Sequence, residues 1–423
     1  MRLFYTSAIA CYAAAVRLAA PFNEKASALS RGWKHWHRRF PAEKLAGCKT
    51  AWFHASSLGE FEQARPVMES FRASHPDYKI CLSFFSPSGF EIRKDYPGAD
   101  VVCYLPPDTR RNARRWMQMV HPDISFFVKY DFWFNYLQAL KQNNIPTFIF
   151  SAIFRPSQYF FRWYGGWFAR QLHCYSHLFV QNETSLQLLH SIGINHCSIA
   201  GDTRFDRVND IARQAQPIPI VERFVESGRS NSDAPGRVLI AGSSWEPDEA
   251  NIRQFLDNYN KPLKVILAPH MIGKEHLASI ERLFEDYGCV RYSQLAAADN
   301  NSELFGRQVL IIDNIGMLSA IYRYATVAYI GGGFGKGIHN ILEAAVYSCP
   351  VCFGPNYHKF QEACQLIELQ GAKSYSEPAQ LTAILSQWFD DDNARLAAAT
   401  ACHDYMHHNL GATQTIIAKV ENV

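Results

Sequence analysis

The run His54-Ala55-Ser56-Ser57-Leu58-Gly59-Glu60 closes an apolar stretch with two hydroxyls and a carboxylate. A carboxylate between the end of a strand and the start of a helix can act as a general base on a hydroxyl within hydrogen-bond reach. It can equally do no more than complement the helix dipole. A second acid, Asp131, sits among aromatics in Lys129-Tyr130-Asp131-Phe132-Trp133, where it can orient a substrate or the base. Ser86-Pro87-Ser88-Gly89 offers turn amides and hydroxyls to an anionic group, and Arg155 offers a clamp for a carboxylate or phosphate. Each alone could be a surface ion-pair partner, but all of them at strand carboxyl ends are less easily dismissed.

A second constellation lies in residues 327–345, VAYIGGGFGKGIHNILEAA. Residues 327–330 read as a central strand. Gly331, Gly332, Gly333, Gly335 and Gly337 then free the backbone to turn tightly and to present bare N–H groups to a phosphate. Asn340 is placed to cap a helix from Ile341, whose N-terminus would add partial positive charge, and His339 and Glu343 would share a face there. No GK[ST] follows and the GxGxxG spacing fails, so neither a Walker loop nor a dinucleotide fingerprint is present. A glycine-rich turn alone is an ordinary strand-to-helix connection. The added His, Asn and Glu tip the reading toward a nucleotide.

The elements that must position these groups follow an α/β alternation. Short apolar runs at 51–54, 80–85, 101–104, 124–128, 147–150 and 177–180 are separated by helix-length segments, which predicts a parallel, doubly wound sheet. Pro217, Pro219 and the polar run 227–236 mark a hinge region. A second series follows, with strands expected at 238–241, 264–268, 309–312, 327–330 and 351–353. At 423 residues the chain exceeds what one core usually serves, so two such domains are expected, with strand ends facing across a cleft. The divisions read as 1–22 for an N-terminal anchor, 23–208, a linker region 209–236, and 237–423, with the final helices free to return to the first domain. Gly242-Ser243-Ser244-Trp245 and Ala268-Pro269-His270 end strands of the second domain and are expected to line its pocket or to be loop packing.

Composition bounds the partners. With 48% hydrophobic and 19% charged residues the chain is globular, and a net charge of +3 is too small to imply nucleic acid. Eleven cysteines scattered singly read as buried hydrophobes in a reducing compartment; the pair Cys349 and Cys352 lacks a second ligand pair at zinc spacing and reads as core. Residues 3–20 are almost wholly apolar or small but carry Arg17, which is short for a membrane span. Residues 31–39, RGWKHWHRR, then suit the headgroup layer of an anionic membrane, with Trp in the interface and cations on phosphates. A cleaved signal peptide would export a thiol-rich nucleotide binder to an oxidising space, so a retained anchor on the cytoplasmic face is expected.

The ordered set HASSLGE (54–60), SPSGFE (86–91), YLPPD (104–108), KYDFW (129–133), GDTRFDRV (201–208) and GGGFGKGIHNILEAA (331–345) resembles the Kdo (3-deoxy-D-manno-octulosonic acid) transferases of lipopolysaccharide synthesis. The resemblance spans nearly the whole chain. It implies a GT-B fold in which the N-terminal domain binds the lipid A precursor and the C-terminal domain binds CMP-Kdo, at the bacterial inner membrane and without a metal or other cofactor. It also implies that Glu60 is the general base and that Asp131 stands where many members carry Glu in an ETELW context, Lys129 and Tyr130 replacing the usual Glu-Thr. The nucleotide-binding residues fall on Gly331, Gly332, Gly333, His339, Asn340 and Glu343, the last taking the ribose hydroxyls. Ser243, Ser244, His270 and Arg204 complete the expected donor side, and Ser56, Ser57, Ser86, Ser88 and Arg155 the acceptor side; Arg155, Arg204 and Lys336 are the cations for the Kdo carboxylate or phosphates. Two rival readings keep parts of this pattern: another GT-B enzyme using a nucleoside-diphosphate sugar, and a membrane-attached nucleotide-binding module without catalysis.

Overall fold

The computed structural model describes residues 1–228, 236–297 and 302–422. The chain forms two compact units, one of residues 1–207 with 409–423 and one of residues 208–408.

The first unit is built on a seven-stranded sheet of β1 (Lys49–Ala55), β2 (Tyr78–Phe84), β3 (Val101–Tyr104), β4 (Ile124–Val128), β5 (Thr147–Ala152), β6 (His177–Val180) and β7 (Cys197–Ile199), in the order β3-β2-β1-β4-β5-β6-β7. Every pairing is parallel. The runs lack polar–apolar alternation because both faces are covered: in β1, Trp52 enters a core with Trp116 and Tyr136, while its neighbour Phe53 enters the opposite core with Phe61, Phe71 and Phe126. The chain's last helix, Ala412–Val420, belongs to this unit and adds Ile416, Ile417 and Val420 to the second core. Asp206 holds its start by accepting from the N–H groups of Gly411 and Thr413, at 2.7 and 2.6 Å.

The second unit repeats the plan with β8 (Val238–Ser244), β9 (Lys264–Pro269), β10 (Cys289–Arg291), β11 (Val309–Ile311), β12 (Val327–Ile330), β13 (Val351–Phe353) and β14 (Ala372–Ser374), ordered β10-β11-β9-β8-β12-β13-β14 and again all parallel. Each expected strand is present. β7, β10 and β14 were not expected, because three residues at or next to a sheet edge carry too little periodicity to be read. Cys349 and Cys352 lie in the core beside and within β13, where burial pushes both thiols up. The region 209–236 is not open chain: the Thr203–Gln214 helix runs into it and the Pro219–Glu226 helix buries Val221, Phe224 and Val225. Most of the polar run 227–236 falls at 229–235, outside the described residues.

The N-terminal segment forms the Arg2–Ala19 helix, and no helix among the described residues is long and apolar enough to cross a membrane. Ala13 and Val16 pack on Leu29, Trp33 and Tyr104, and the Tyr5 hydroxyl donates to Asp108 at 2.7 Å. Leu3, Phe4, Leu18 and Phe22 remain outside, at 71%, 78%, 77% and 90% exposure. The reading of 31–39 needs correction. Trp33 and Trp36 do not face an interface: Trp33 is buried and donates its indole N–H to the Leu105 carbonyl, and Trp36 packs against Trp116. Burying two indoles in the first unit's cores outweighs placing them at a surface. Arg39 turns back to the carbonyls of Arg31, Gly32 and Lys34, closing the preceding helix.

Candidate active site

In each sheet the strand order reverses at one point, between β1 and β4 in the first unit and between β8 and β12 in the second. Ligands of open α/β sheets bind beyond the strand carboxyl ends at such a point. Glu60 and Asp131 follow β1 and β4, and Ser243 and the glycine loop close β8 and follow β12.

In the first unit Glu60 lies half-buried in the first turn of the Leu58–Ser74 helix and accepts from the Ser57 hydroxyl. Asp131 is brought inward by Lys129, whose φ of 58° is a left-handed conformation that a side chain rarely adopts outside functional turns. Its carboxyl is 5% exposed and accepts from the Ser56 hydroxyl. Burial pushes Asp131 up to about 8 and the charge of Glu60 adds to this, against the hydroxyl and main-chain N–H of Ser56. His54, fully buried on β1, is held neutral by burial, its pKa lowered to about 3. Its Nε2 lies 4.0 Å from Asp131 Oδ2. The hydroxyls of Ser56 and Ser57, expected on the acceptor side, donate to Asp131 and Glu60. Ser86 and Ser88 hydrogen-bond to each other at 2.9 Å, and the Ser86 N–H donates to the Ser56 carbonyl, joining the loops after β1 and β2.

Arg155 is exposed after β5 and acts with Arg204 on the Tyr130 hydroxyl, where both oppose the upward push of burial. Arg204 was expected on the donor side. It belongs instead to the first unit, where buried Asp202 binds its guanidinium at 2.8 Å. The structure thus brings Glu60, Asp131, Tyr130, Arg155 and Arg204 to one end of the first sheet.

In the second unit the glycine loop passes so close to β8 that a Cβ on Gly331 would lie 2.2 Å from the Ser243 carbonyl oxygen. Gly332 has φ 88°, open to glycine at no steric cost. The expectation of bare amides is corrected: the N–H groups of Gly331, Gly332, Gly335, Gly337, Ile338 and His339 already donate, to Gly242, Asp248, Gly332 twice, Asn356 and Gly331. The loop spends them on its own fold. The helix that follows is also shorter than read, only Leu342–Ala345, so His339 precedes it rather than sharing its face with Glu343, while Asn340 stands before its start as a cap should. Asn340 accepts from the Leu342 N–H and donates to Glu343 Oε1 at 3.0 Å, while Ser319 donates to Oε2 at 2.7 Å. Ser243 has φ 53° at the end of β8, and Ser244 is buried and donates to Glu249. His270 stacks on both Trp245 and His339 with ring centroids 4.6 Å apart, and the Trp245 indole reaches His339 Nε2 at 3.3 Å.

A family model described as 3-deoxy-D-manno-octulosonic-acid transferase (kdotransferase) matches residues 34–207. The 3-deoxy-D-manno-octulosonic acid transferase of Haemophilus influenzae is 25% identical over 378 residues, 86% of this chain and 84% of its own length. That of Aquifex aeolicus is 24% identical over 339 residues, 79% of this chain and 84% of its own. The chain is thus similar to Kdo transferases over most of its length. Among solved structures, the UDP-GlcNAc 2-epimerase of Neisseria meningitidis superposes with a TM-score of 0.60 at 14% identity, over 88% of this chain and all of that one. Acinetobacter baumannii MurG does so with 0.57 at 13%, over 89% of this chain and all of that one. These likenesses give the chain a GT-B-like fold.

Two residues that shape these sites escaped the sequence reading. His54 looked like one more strand residue, since nothing in its spacing says that a carboxylate from β4 faces it. Asp248 is buried and accepts from Tyr329, the Gly332 N–H and the Trp245 N–H at 2.6, 2.9 and 3.0 Å, tying the end of β8 to the glycine loop. Its place three residues after Trp245, the spacing of a capping box, was the available signal.

Proposed function

We propose that this chain is a Kdo transferase, moving Kdo from CMP-Kdo to the lipid A precursor, lipid IVA, with inversion and without a metal ion. The carrying observation is Glu60 at the switch point of the first sheet, oriented by Ser57 near the buried Asp131. Glu60 takes the proton of the lipid's primary glucosamine hydroxyl as that oxygen attacks the anomeric carbon of Kdo. The bond from that carbon to the phosphate oxygen breaks, and CMP departs with the electron pair. A neutral Asp131 places no second negative charge against an anionic donor. Residues 23–208 bind the acceptor, with Ser86, Ser88 and Arg155 at its edge, and residues 237–423 bind the donor, apart from the helix returned to the first unit. Gly331, Gly332, Gly333, His270, His339 and Asn340 form the nucleotide wall, and Glu343 takes the ribose hydroxyls. Arg155 and Arg204 of the first unit and Lys336 of the second are the cations assigned to the Kdo carboxylate and the phosphate. A monophosphate leaving group is within reach of such cations and fixed donors, so no metal is invoked.

The same reading puts the enzyme on the cytoplasmic face of the bacterial inner membrane. Residues 1–22 lie on the anionic surface through exposed Leu3, Phe4, Leu18 and Phe22, and residues 209–236 join the two domains. The test is to supply CMP-Kdo and a lipid A precursor to the purified chain. Release of CMP that depends on the lipid supports the reading, whereas turnover of a UDP-sugar in its place contradicts it.

A further inference from the structure

Three buried polar atoms around the first site have no hydrogen-bond partner: His54 Nε2, Asp131 Oδ2 and Trp133 Nε1. Buried polar atoms are paired in the great majority of proteins, so three together need one explanation. Ser83 supplies its start. His54 Nδ1 lies 3.1 Å from the Ser83 carbonyl oxygen, which can only accept, and 2.8 Å from the Ser83 hydroxyl, which already accepts the Trp52 indole N–H at 2.8 Å. The Ser83 hydroxyl's own proton goes to the Phe53 carbonyl at 3.4 Å, so the contact with the Ser83 carbonyl puts a proton on Nδ1 and the neutral ring turns a bare lone pair at Nε2 toward Asp131 Oδ2.

We infer that His54 is a positioning residue: its Nδ1–H donates to the Ser83 carbonyl, and its Nε2 accepts a proton carried by Asp131 on Oδ2. An approach of about 1 Å from the present separation makes that hydrogen bond, and the Trp133 N–H then donates to the same Oδ2. One proton in this way gives all three atoms a partner. The groups facing Asp131 agree. Ser56, from the loop after β1, donates to the other oxygen; Glu60, from the Leu58–Ser74 helix, is an acid; and the Tyr175 hydroxyl is occupied by the Asp131 main-chain oxygen at 2.9 Å. An ionised Asp131 would place a buried carboxylate against a lone pair and against Glu60. The His54–Asp131 pair is therefore neutral and fixed in orientation, which leaves Glu60 as the acid that meets the acceptor. This role rests on the proposed Kdo transfer, whereas the tautomer does not.

The test uses the full chain labelled with 15N at histidine, the His54 resonances being identified by their loss in His54→Gln. The expected spectrum shows a proton on Nδ1 and no titration between about pH 6 and 8; an Nε2–H tautomer or an imidazolium overturns the inference whatever the reaction proves to be. Kinetics supplies the second arm. His54→Asn keeps a donor toward Ser83 but lacks the Nε2 acceptor, and should lower kcat about 10-fold with KM near unchanged. It should also move the alkaline fall of kcat to lower pH by about one unit, because neutral Asp131 has lost its acceptor. His54→Gln, which can offer an oxygen near the Nε2 position, should recover part of both. A pH profile that does not move contradicts the inference, since a merely structural histidine would lower activity evenly. If the parent chain transfers no Kdo, the spectrum still decides the tautomer.

Discussion

At Asp131 the loss of water outweighs the donors, and the carboxyl keeps its proton to about pH 8. Its unfolded-state value lies near 4, so the folded chain holds a proton that the unfolded chain releases. The stability this contributes is fully present below about pH 4 and is lost as pH rises toward 8. Asp131→Asn carries no such proton, and its melting temperature relative to the parent should therefore rise between pH 5 and pH 8; a constant difference would show that Asp131 is ionised in the fold. Glu60→Gln should leave folding and CMP-Kdo binding near normal and lower turnover at least ~100-fold, the usual scale for losing a general base. Near-full turnover in that variant would remove Glu60 from the chemistry. Both acids were legible as candidates because each follows an apolar run. The protonation of Asp131 was not, since the groups that bury and oppose it come from β1, the Leu58–Ser74 helix and the loop after β4.

The glycine loop was legible as a loop and misread in its hydrogen bonding. Spacing marked where the backbone must turn, but not that Asp248 and Asn356 would claim its amides. Its fit against β8 predicts that Gly331→Ala costs about 1–3 kcal/mol in denaturant unfolding, because the added methyl meets backbone that cannot move aside. A variant as stable as the parent would mean that this contact is looser than drawn. Glu343→Ala should weaken CMP binding by roughly 1–3 kcal/mol in calorimetry and leave lipid binding intact. Unchanged CMP affinity would take Glu343 out of the nucleotide wall. The long parallel strands were readable from continuous apolar runs, since both sheet faces are buried. The helix after Asn340 was overread because good helix formers continue past the point where Val346 and Tyr347 turn toward β13.

For the molecule as a whole, the apolar N-terminus was recognised but its aromatic neighbours were misassigned, because a tryptophan beside arginines reads alike at a lipid surface and over a core. The exposed residues, not the indoles, now carry the membrane reading. Since the Arg2–Ala19 helix also packs on the first unit through Ala13, Val16 and Tyr5, deleting it would strip core contacts as well. Replacing Leu3, Phe4, Leu18 and Phe22 with Ser is the cleaner change. It should release the chain from anionic vesicles in sedimentation while transfer to detergent-dispersed acceptor survives; undiminished sedimentation would show that binding lies elsewhere. The central claim, transfer of Kdo to a lipid A precursor, is tested most directly by mass spectrometry of the lipid after incubation with CMP-Kdo and the purified chain. The account predicts lipid heavier by whole Kdo residues, formed with the parent and nearly absent with Glu60→Gln; lipid of unchanged mass with the folded parent chain would contradict it.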